Sequence, residues 1–177
     1  MKPEIKQFIS SEKMVLNFDY KGKRLNAREL LKQLRHPLVV GFRFLIFKIA
    51  MYIPSSGFKS WIYRFFGGMR VGKDVVISDG VYIDPYFPEL ISIDDGAFLG
   101  SGSKILSHEA TIKHVRLGKV KIGMQVLVGA NSLVRSGVNL KQGSVIAMDS
   151  FVNKDVEKLV LVGGVPEHEI KKLKELI

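Results

Sequence analysis

The chain has 177 residues, of which 46% are hydrophobic, so it can form one domain with a sizeable core plus an appendage, and general disorder is excluded. It contains no cysteine, which excludes disulfide frameworks, thiol catalysis and cysteine-bound metals. The formal charge of +10 comes mostly from residues 1–66, which hold 13 Lys/Arg against 4 Asp/Glu. These basic residues alternate with bulky apolar ones and form no binding motif, so we expect no nucleic acid partner.

The N-terminal residues predict helices and no export signal. The first ten residues have no apolar run after their charges, so we expect a cytoplasmic protein. Asn26-Ala-Arg-Glu29 is typical of a capping box and predicts a helix through Arg35. A second helix is predicted to begin at Pro37 and to end before Pro54, since proline favours a first turn and stops a helix.

Residues 37–53 are apolar on nearly every side and are interrupted only by Gly41, Arg43 and Lys48. The two charges would each cost about 2.5–3.5 kcal/mol at a bilayer centre, so we do not expect this segment to cross a membrane. We expect it to lie at a membrane interface, with both long side chains reaching towards water.

An aromatic stripe at helical spacing follows, formed by Phe58, Trp61, Ile62, Phe65 and Phe66. Lys59 and Arg64 lie off this stripe, and the surrounding region is basic. Residues 37–66 are therefore predicted to associate with an anionic membrane surface, on the inner face of the plasma membrane. The alternative is that both helices pack on the base of the following domain or on neighbouring subunits.

Aliphatic residues recur every six positions from residue 71 onward, with two resets of the frame. The twelve positions are Val71, Ile77, Ile83, Ile93, Leu99, Ile105, Ile122, Val128, Val134, Leu140, Ile146 and Val152. Three six-residue sides would make one coil of about eighteen residues, with the aliphatic side chains stacked inward. We therefore predict an all-β core, a left-handed parallel β-helix over residues 67–166, between a helical region over 1–66 and a short C-terminal helix over 167–177.

The repeats, with Asn153-Lys154-Asp155-Val156 and Val162-Gly163-Gly164-Val165-Pro166 after them, resemble the galactoside and maltose O-acetyltransferase branch of the hexapeptide-repeat acyltransferases. The resemblance covers residues 69–174. It implies a homotrimer that transfers an acetyl group from acetyl-coenzyme A (acetyl-CoA) to a saccharide hydroxyl, without a metal. Combined with the basic, aromatic N-terminal region, it favours a lipid-linked glycan of envelope polysaccharide synthesis as acceptor.

His108 is the candidate catalytic residue. It occupies the fourth place of its hexapeptide, where side chains point away from the interior, and the repeat lapses from Thr111 to Lys121, where we expect an irregular loop. A neutral imidazole, with an ordinary pKa of about 6.5, can accept a proton from an attacking alcohol. The resemblance implies this role of general base for His108.

By the same resemblance, the donor would lie between neighbouring β-helices of the trimer. Its contacts would be the backbone at Gly129, Ala130, Ala147 and Met148, and its phosphates would approach Lys154 and Lys171. The chain departs from the family's usual residues at Met148-Asp149, Glu157-Lys158 and Glu167-His168. The different bulk and charge at these positions could change the contacts with the donor and the length of acyl chain that the site accepts.

Two residues are candidate acceptor contacts. Asp84 breaks the repeat one coil before His108 and, if ionised, could orient a hydroxyl or an imidazole, although Asp-Pro is also an ordinary turn former. His114 lies in the expected loop. Two other functions stay open: a non-catalytic trimeric β-helix scaffold at the membrane, and a zinc enzyme like γ-carbonic anhydrase, which would need a third ligand beside His108 and His114.

Overall fold

The computed structural model describes residues 2–19, 34–111 and 114–176. The helix predicted from Asn26 falls largely outside these residues. Residues 70–163 wind into a prism with three faces, each a sheet of short parallel strands.

The strands of each face come from successive coils. Face 1 contains β2 (Arg70–Val71), β5 (Ile91–Ile93), β10 (Val120–Ile122) and β13 (Asn139–Leu140). Face 2 contains β3 (Val76–Ile77), β6 (Phe98–Leu99), β11 (Leu127–Val128), β14 (Val145–Ile146) and β16 (Val160–Gly163). Face 3 contains β4 (Tyr82–Ile83), β7 (Lys104–Ile105), β12 (Leu133–Val134) and β15 (Phe151–Val152).

The predicted inward stack of aliphatic residues is confirmed. On face 1, Val71 pairs with Ile93, Ile93 with Ile122, and Ile122 with Leu140. All twelve predicted inward positions are at most 7% exposed. Because burying each such side chain contributes about 1.5–3 kcal/mol, this stack is the main source of the β-helix's stability.

The third corner of the prism differs from the second. At the second corner, between faces 2 and 3, one residue per coil has a positive φ, and these residues are Gly80, Gly102, Asn131 and Asp149. At the third corner, between face 3 and the next coil's face 1, Gly137 has such a φ of 84°, but its counterpart His108 does not. The chain leaves the coil at His108, so this corner carries the main insertions.

The stretch expected to be an irregular loop is an antiparallel hairpin, so that prediction is wrong. Strand β8 (His108–Ala110) pairs with β9 (His114–Gly118), and β9 pairs on its other side with β1 (Val15–Asp19). The alternating buried residues Val115 and Leu117 explain the strand, because they pack in a small second core with Ile5 and Phe8 of helix α1 (Pro3–Ser10). The N-terminal segment thus holds the third-corner insertions in place.

Two further helices, both predicted, close the base of the prism. Helix α2 spans Pro37–Met51 and α3 spans Ser56–Gly67. Their inner sides pack on the β-helix core through Phe47, Ala50, Ile62 and Tyr63. Their outer sides are exposed, so packing on the base accounts for one side of each helix only. No described helix has the length and apolarity needed to span a membrane.

Three of the four cations of these helices bond to neighbouring groups of the protein, which the sequence did not suggest. Lys59 is 1% exposed and donates to the carbonyls of Ile77 and Ser78 at 2.9 and 2.8 Å. Arg64 donates to backbone carbonyls of residues 71 and 72, and Arg43 pairs with Glu89. The first coil offers backbone carbonyls beneath the helices, which explains the positions of the Lys59 and Arg64 side chains.

The predicted C-terminal helix is also wrong. Residues His168–Lys172 form strand β17, which pairs antiparallel with β16 at the end of face 2. An isolated helix of this length is marginal, whereas the last strand of a β-helix presents free backbone groups that a further strand satisfies.

Candidate active site

The site is built on Asp84 and His108, which the third corner brings together from successive coils. Strands β4 and β7 pair with Ile83 opposite Ile105, so the residues that follow each strand are stacked. Asp84 Oδ2 accepts hydrogen bonds from the amides of Ser107 and His108, both at 3.0 Å, and from Ser107 Oγ at 2.9 Å. It also lies 2.5 Å from His108 Nδ1.

The Asp84 carboxylate is held ionised by these partners. Burial alone would raise its pKa, since Asp84 is 0% exposed. The hydrogen bond and charge of His108, together with the amides of Tyr86 and Ser107, outweigh burial and hold the pKa of Asp84 below its usual value. A carboxylate at Nδ1 selects the tautomer in which Nδ1 carries the proton and Nε2 is the acceptor.

The His108 ring is packed on one side and open on another. The ring of Tyr86 lies against it with centroids 4.5 Å apart, and Phe87 approaches its edge at 6.4 Å. The His108 side chain retains 21% of its exposure. The imidazole is therefore fixed in orientation while Nε2 remains available to a substrate.

A charged cluster beside His108 was missed by the sequence analysis. Glu109 accepts from Arg135 Nε at 2.9 and 3.0 Å and from Ser136 Oγ at 2.5 Å, and Arg116 lies 3.7 Å away. Burial opposes ionisation of Glu109, but the hydrogen bonds from Arg135 and Ser136 bring its pKa below the usual value. The six-residue repeat could have indicated this cluster. It pairs Val134 with Ile105 of the preceding coil, so Arg135, which follows Val134, comes near the residues that follow Ile105.

The two predicted acceptor contacts, Asp84 and His114, lie in different surroundings. Asp84 is 0% exposed and lies against His108 Nδ1, an arrangement in which a carboxylate can orient an imidazole. His114 begins β9, whereas His108 pairs with Leu117 of that strand. Three residues of extended strand separate the two positions by about 10 Å, so His114 lies at the far end of the hairpin.

The predicted donor backbone lies at the second corner, where Gly129 and Ala130 of one coil stack beneath Ala147 and Met148 of the next. A Cβ at Gly129 would lie 2.6 Å from the Met148 amide nitrogen, so the backbones are in close contact. Among the described residues, no backbone carbonyl accepts from the amides of Ala130 or Met148. These outward amides and small side chains fit an extended amide-containing chain, although Met148 projects with 70% exposure.

One chain does not bring all predicted contacts together. Lys154 is exposed at the third corner, two coils beyond His108, and Lys171 is exposed on β17. The Gly129 to Met148 backbone lies at the other edge of face 3 from His108. Within the described ranges of this one chain, no three His, Asp or Glu side chains form a possible metal site.

Two solved structures share this fold at low sequence identity. The hexapeptide-repeat acetyltransferase VCA0836 of Vibrio cholerae O1 biovar eltor, complexed with acetyl coenzyme A, superposes with a TM-score of 0.59 at 20% identity over 85% of this chain and 91% of that chain. A galactoside acetyltransferase in complex with coenzyme A gives 0.61 at 18% identity, over 85% and 86%. At these identities the likeness supports the fold alone.

The sequence comparisons are closer. Residues 119–154 match the family described as the hexapeptide repeat of succinyl-transferase. YvoF of Bacillus subtilis (strain 168), a proposed acetyltransferase, is 41% identical over 123 residues, which cover 70% of this chain and 72% of YvoF. With the repeats stacked as in that family, this relative shows that the chain belongs to the hexapeptide-repeat acetyltransferases.

Proposed function

We propose that the protein transfers an acetyl group from acetyl-CoA to a hydroxyl of a saccharide, with His108 as general base. The observation that carries this proposal is the buried Asp84 carboxylate bonded to His108 Nδ1. It leaves Nε2 as the acceptor for the hydroxyl proton. The acetyl thioester supplies the electrophilic carbonyl, and the protonated imidazole then returns the proton to the departing thiolate.

Asp84 acts as a positioning residue in this proposal. Its negative charge stabilises the imidazolium that forms while the proton resides on His108, and its hydrogen bonds to backbone amides prevent it from moving. Tyr86 restricts rotation of the ring from the other side.

The donor is proposed to lie along Gly129, Ala130, Ala147 and Met148, with Lys154 and Lys171 near its phosphates. The amides of Ala130 and Met148 support this placement. Because His108 and this backbone lie at different corners of one prism, the site would be completed by a second chain, as in a trimer.

The acceptor is proposed to be lipid-linked, with the enzyme on a membrane surface through residues 37–66. The support is the outer face of α2 and α3, where Leu38, Leu45, Phe58 and Phe65 are 76%, 59%, 51% and 70% exposed. A surface that exposes these large apolar side chains suits a lipid interface better than water. Because Lys59 is buried and Arg43 is paired with Glu89, we propose that the apolar surface, rather than charge, supplies the main attraction to the membrane.

Thiol release from acetyl-CoA tests the proposal, with free sugars and a membrane lipid extract as acceptors. We expect acceptor-dependent release that falls about 10²–10⁴-fold in His108→Ala. His36→Ala is the matched control, because His36 is exposed before α2, makes no capping hydrogen bond and is not among the proposed contacts. Absence of release with every acceptor, from folded protein, would favour the scaffold alternative.

A further inference from the structure

We infer that a groove between helix α2 and residues 82–86 binds the apolar chain of an amphiphilic acceptor, beside His108. This inference rests on the proposed function and specifies its substrate class. The groove has a volume of about 390 Å³, and its walls include Val40, Gly41, Phe44, Tyr82, Pro85 and Tyr86. That volume is within the range of small-molecule sites.

The groove adjoins the candidate active site across Tyr86. Tyr86 forms part of its wall and packs against the His108 ring at 4.5 Å. A molecule in the groove would therefore be separated from the imidazole by one aromatic side chain. Its far end reaches the outer face of α2, because Phe44 lines the groove and is also 47% exposed.

The lining favours a hydrocarbon chain over a sugar ring. A sugar needs hydrogen-bonding partners for its hydroxyls, and the walls are mainly aliphatic, aromatic and proline. The one cation, Arg35, is paired with Glu89 and stacks over Phe87 with its guanidinium carbon 5.0 Å from the ring centroid. Burial raises the pKa of Tyr82 to about 12, so that phenol stays neutral.

Gly41 is the wall residue at which an added side chain could fill the groove. It lies inside α2, where glycine costs about 1 kcal/mol relative to alanine. Close packing does not require it, since a Cβ at Gly41 would meet no atom within 4 Å. The missing side chain instead leaves space in the groove wall.

The position of the groove favours the acceptor over the donor as its occupant. It lies at the base of the prism, on the α2 side of His108. None of the residues proposed to contact the donor lines this groove. A chain leaving a lipid surface could enter past Phe44 without crossing water.

The test compares Gly41→Leu, which fills the groove, with Gly57→Leu. Gly57 is a helical glycine of α3 whose Cβ would also meet no atom within 4 Å, and it does not line the groove. The probes are methyl and octyl glycosides of the same sugars, below the micelle concentration. We expect the kcat/KM of the wild type to be about 50-fold higher for the octyl than for the methyl acceptor. This is the ratio expected if the groove buries three methylenes of the octyl chain. The preference should nearly vanish in Gly41→Leu and persist in Gly57→Leu.

A second measurement does not depend on turnover. An octyl glycoside with a diazirine at the chain end should label residues 37–44 and 82–86 on irradiation, and labelling should fall at least fivefold in Gly41→Leu only. Labelling elsewhere, unchanged labelling in Gly41→Leu, or equal use of methyl and octyl acceptors would overturn the inference. A changed preference for acyl-CoA chain length in Gly41→Leu would also overturn it, since the donor would then occupy the groove.

The two proposals fail separately. Groove labelling without any acetyl transfer would refute the proposed function and leave the groove. Acetyl transfer to sugars without chain preference would refute the groove and leave the function.

Discussion

The β-helix and its helical base use apolar residues in opposite ways. Every predicted inward aliphatic residue of the β-helix is buried, and its outward positions are mixed. In α2, only Phe47 and Ala50 are buried, although most of the helix is apolar. The coils therefore use their apolar residues for folding, whereas the base carries an excess that folding of one chain does not need.

The largest expected contrast in stability is between Leu99→Ala and Leu45→Ala. Leu99 is 0% exposed between Ile77 and Val128, so its truncation should cost about 2–5 kcal/mol of unfolding free energy. Leu45 is 59% exposed, and its truncation should change stability by at most about 0.5 kcal/mol. Urea unfolding measures both. A loss above about 1 kcal/mol for Leu45→Ala would mean that a second chain covers this face.

Asp84→Asn should weaken both activity and stability. Asparagine replaces one carboxylate oxygen by an NH2 group, so it would set an N–H donor against one of the backbone amides from which Asp84 now accepts. We expect about a 10²-fold loss of kcat with a smaller effect on KM, because His108 would lose its ionised partner. Steady-state kinetics across pH provides the check; an unchanged pH profile and kcat would remove Asp84 from the mechanism.

The stability contributed by Asp84 should depend on pH. Its pKa is lower in the folded protein than its unfolded value of about 3.9, so its stabilisation is present above that value and is lost as pH falls through the folded pKa. The difference in unfolding free energy between wild type and Asp84→Asn should therefore shrink from pH 6 to pH 3. A constant difference would contradict this assignment.

Lys59→Met tests how the base is attached to the coils. Losing the two hydrogen bonds from Nζ to the carbonyls of Ile77 and Ser78 should cost about 1.5–3 kcal/mol. Lys48→Met is the control, because Lys48 is exposed on α2. Equal thermal stability of the two variants would show that Lys59 makes no net contribution.

A small effect on stability, at most about 1 kcal/mol, is expected for Phe58→Ser combined with Phe65→Ser. Both rings stack on Trp61 with centroids 5.5 Å away. Trp61 is the chain's one tryptophan, so its emission reports directly on this surface. Anionic vesicles should shift the wild-type emission to the blue, and the double variant should bind at least tenfold more weakly. Ile170→Ser, on exposed β17, should bind like wild type; no shift for wild type would refute membrane contact.

Much of the fold could be predicted because the repeat is local and redundant. Each aliphatic position, such as Val128 or Ile146, predicts one side chain that points into the core. The six-residue spacing does not match the periodicity of a helix. His108 could be found because the repeat stops there. Helices α2 and α3 were found from proline signals and apolar spacing.

The rest depended on pairing between distant segments. Strand β1 has no local signal, since its partner β9 lies about a hundred residues later. Lys59 has the spacing of a surface cation, and only the carbonyls of the neighbouring coil explain its burial. The C-terminal residues have helical composition, and the free edge of β16 made them a strand.

The sequence by itself determined the coil register, the inward core and the residue at which the chain leaves the coil. Only the tertiary structure decided that buried Asp84 contacts His108, that a hairpin beginning at His108 pairs with an N-terminal strand, and that Gly41 lines a groove. The physical reason is that inward stacking follows from a six-residue period, whereas hydrogen bonds across a corner depend on which insertions coincide in space.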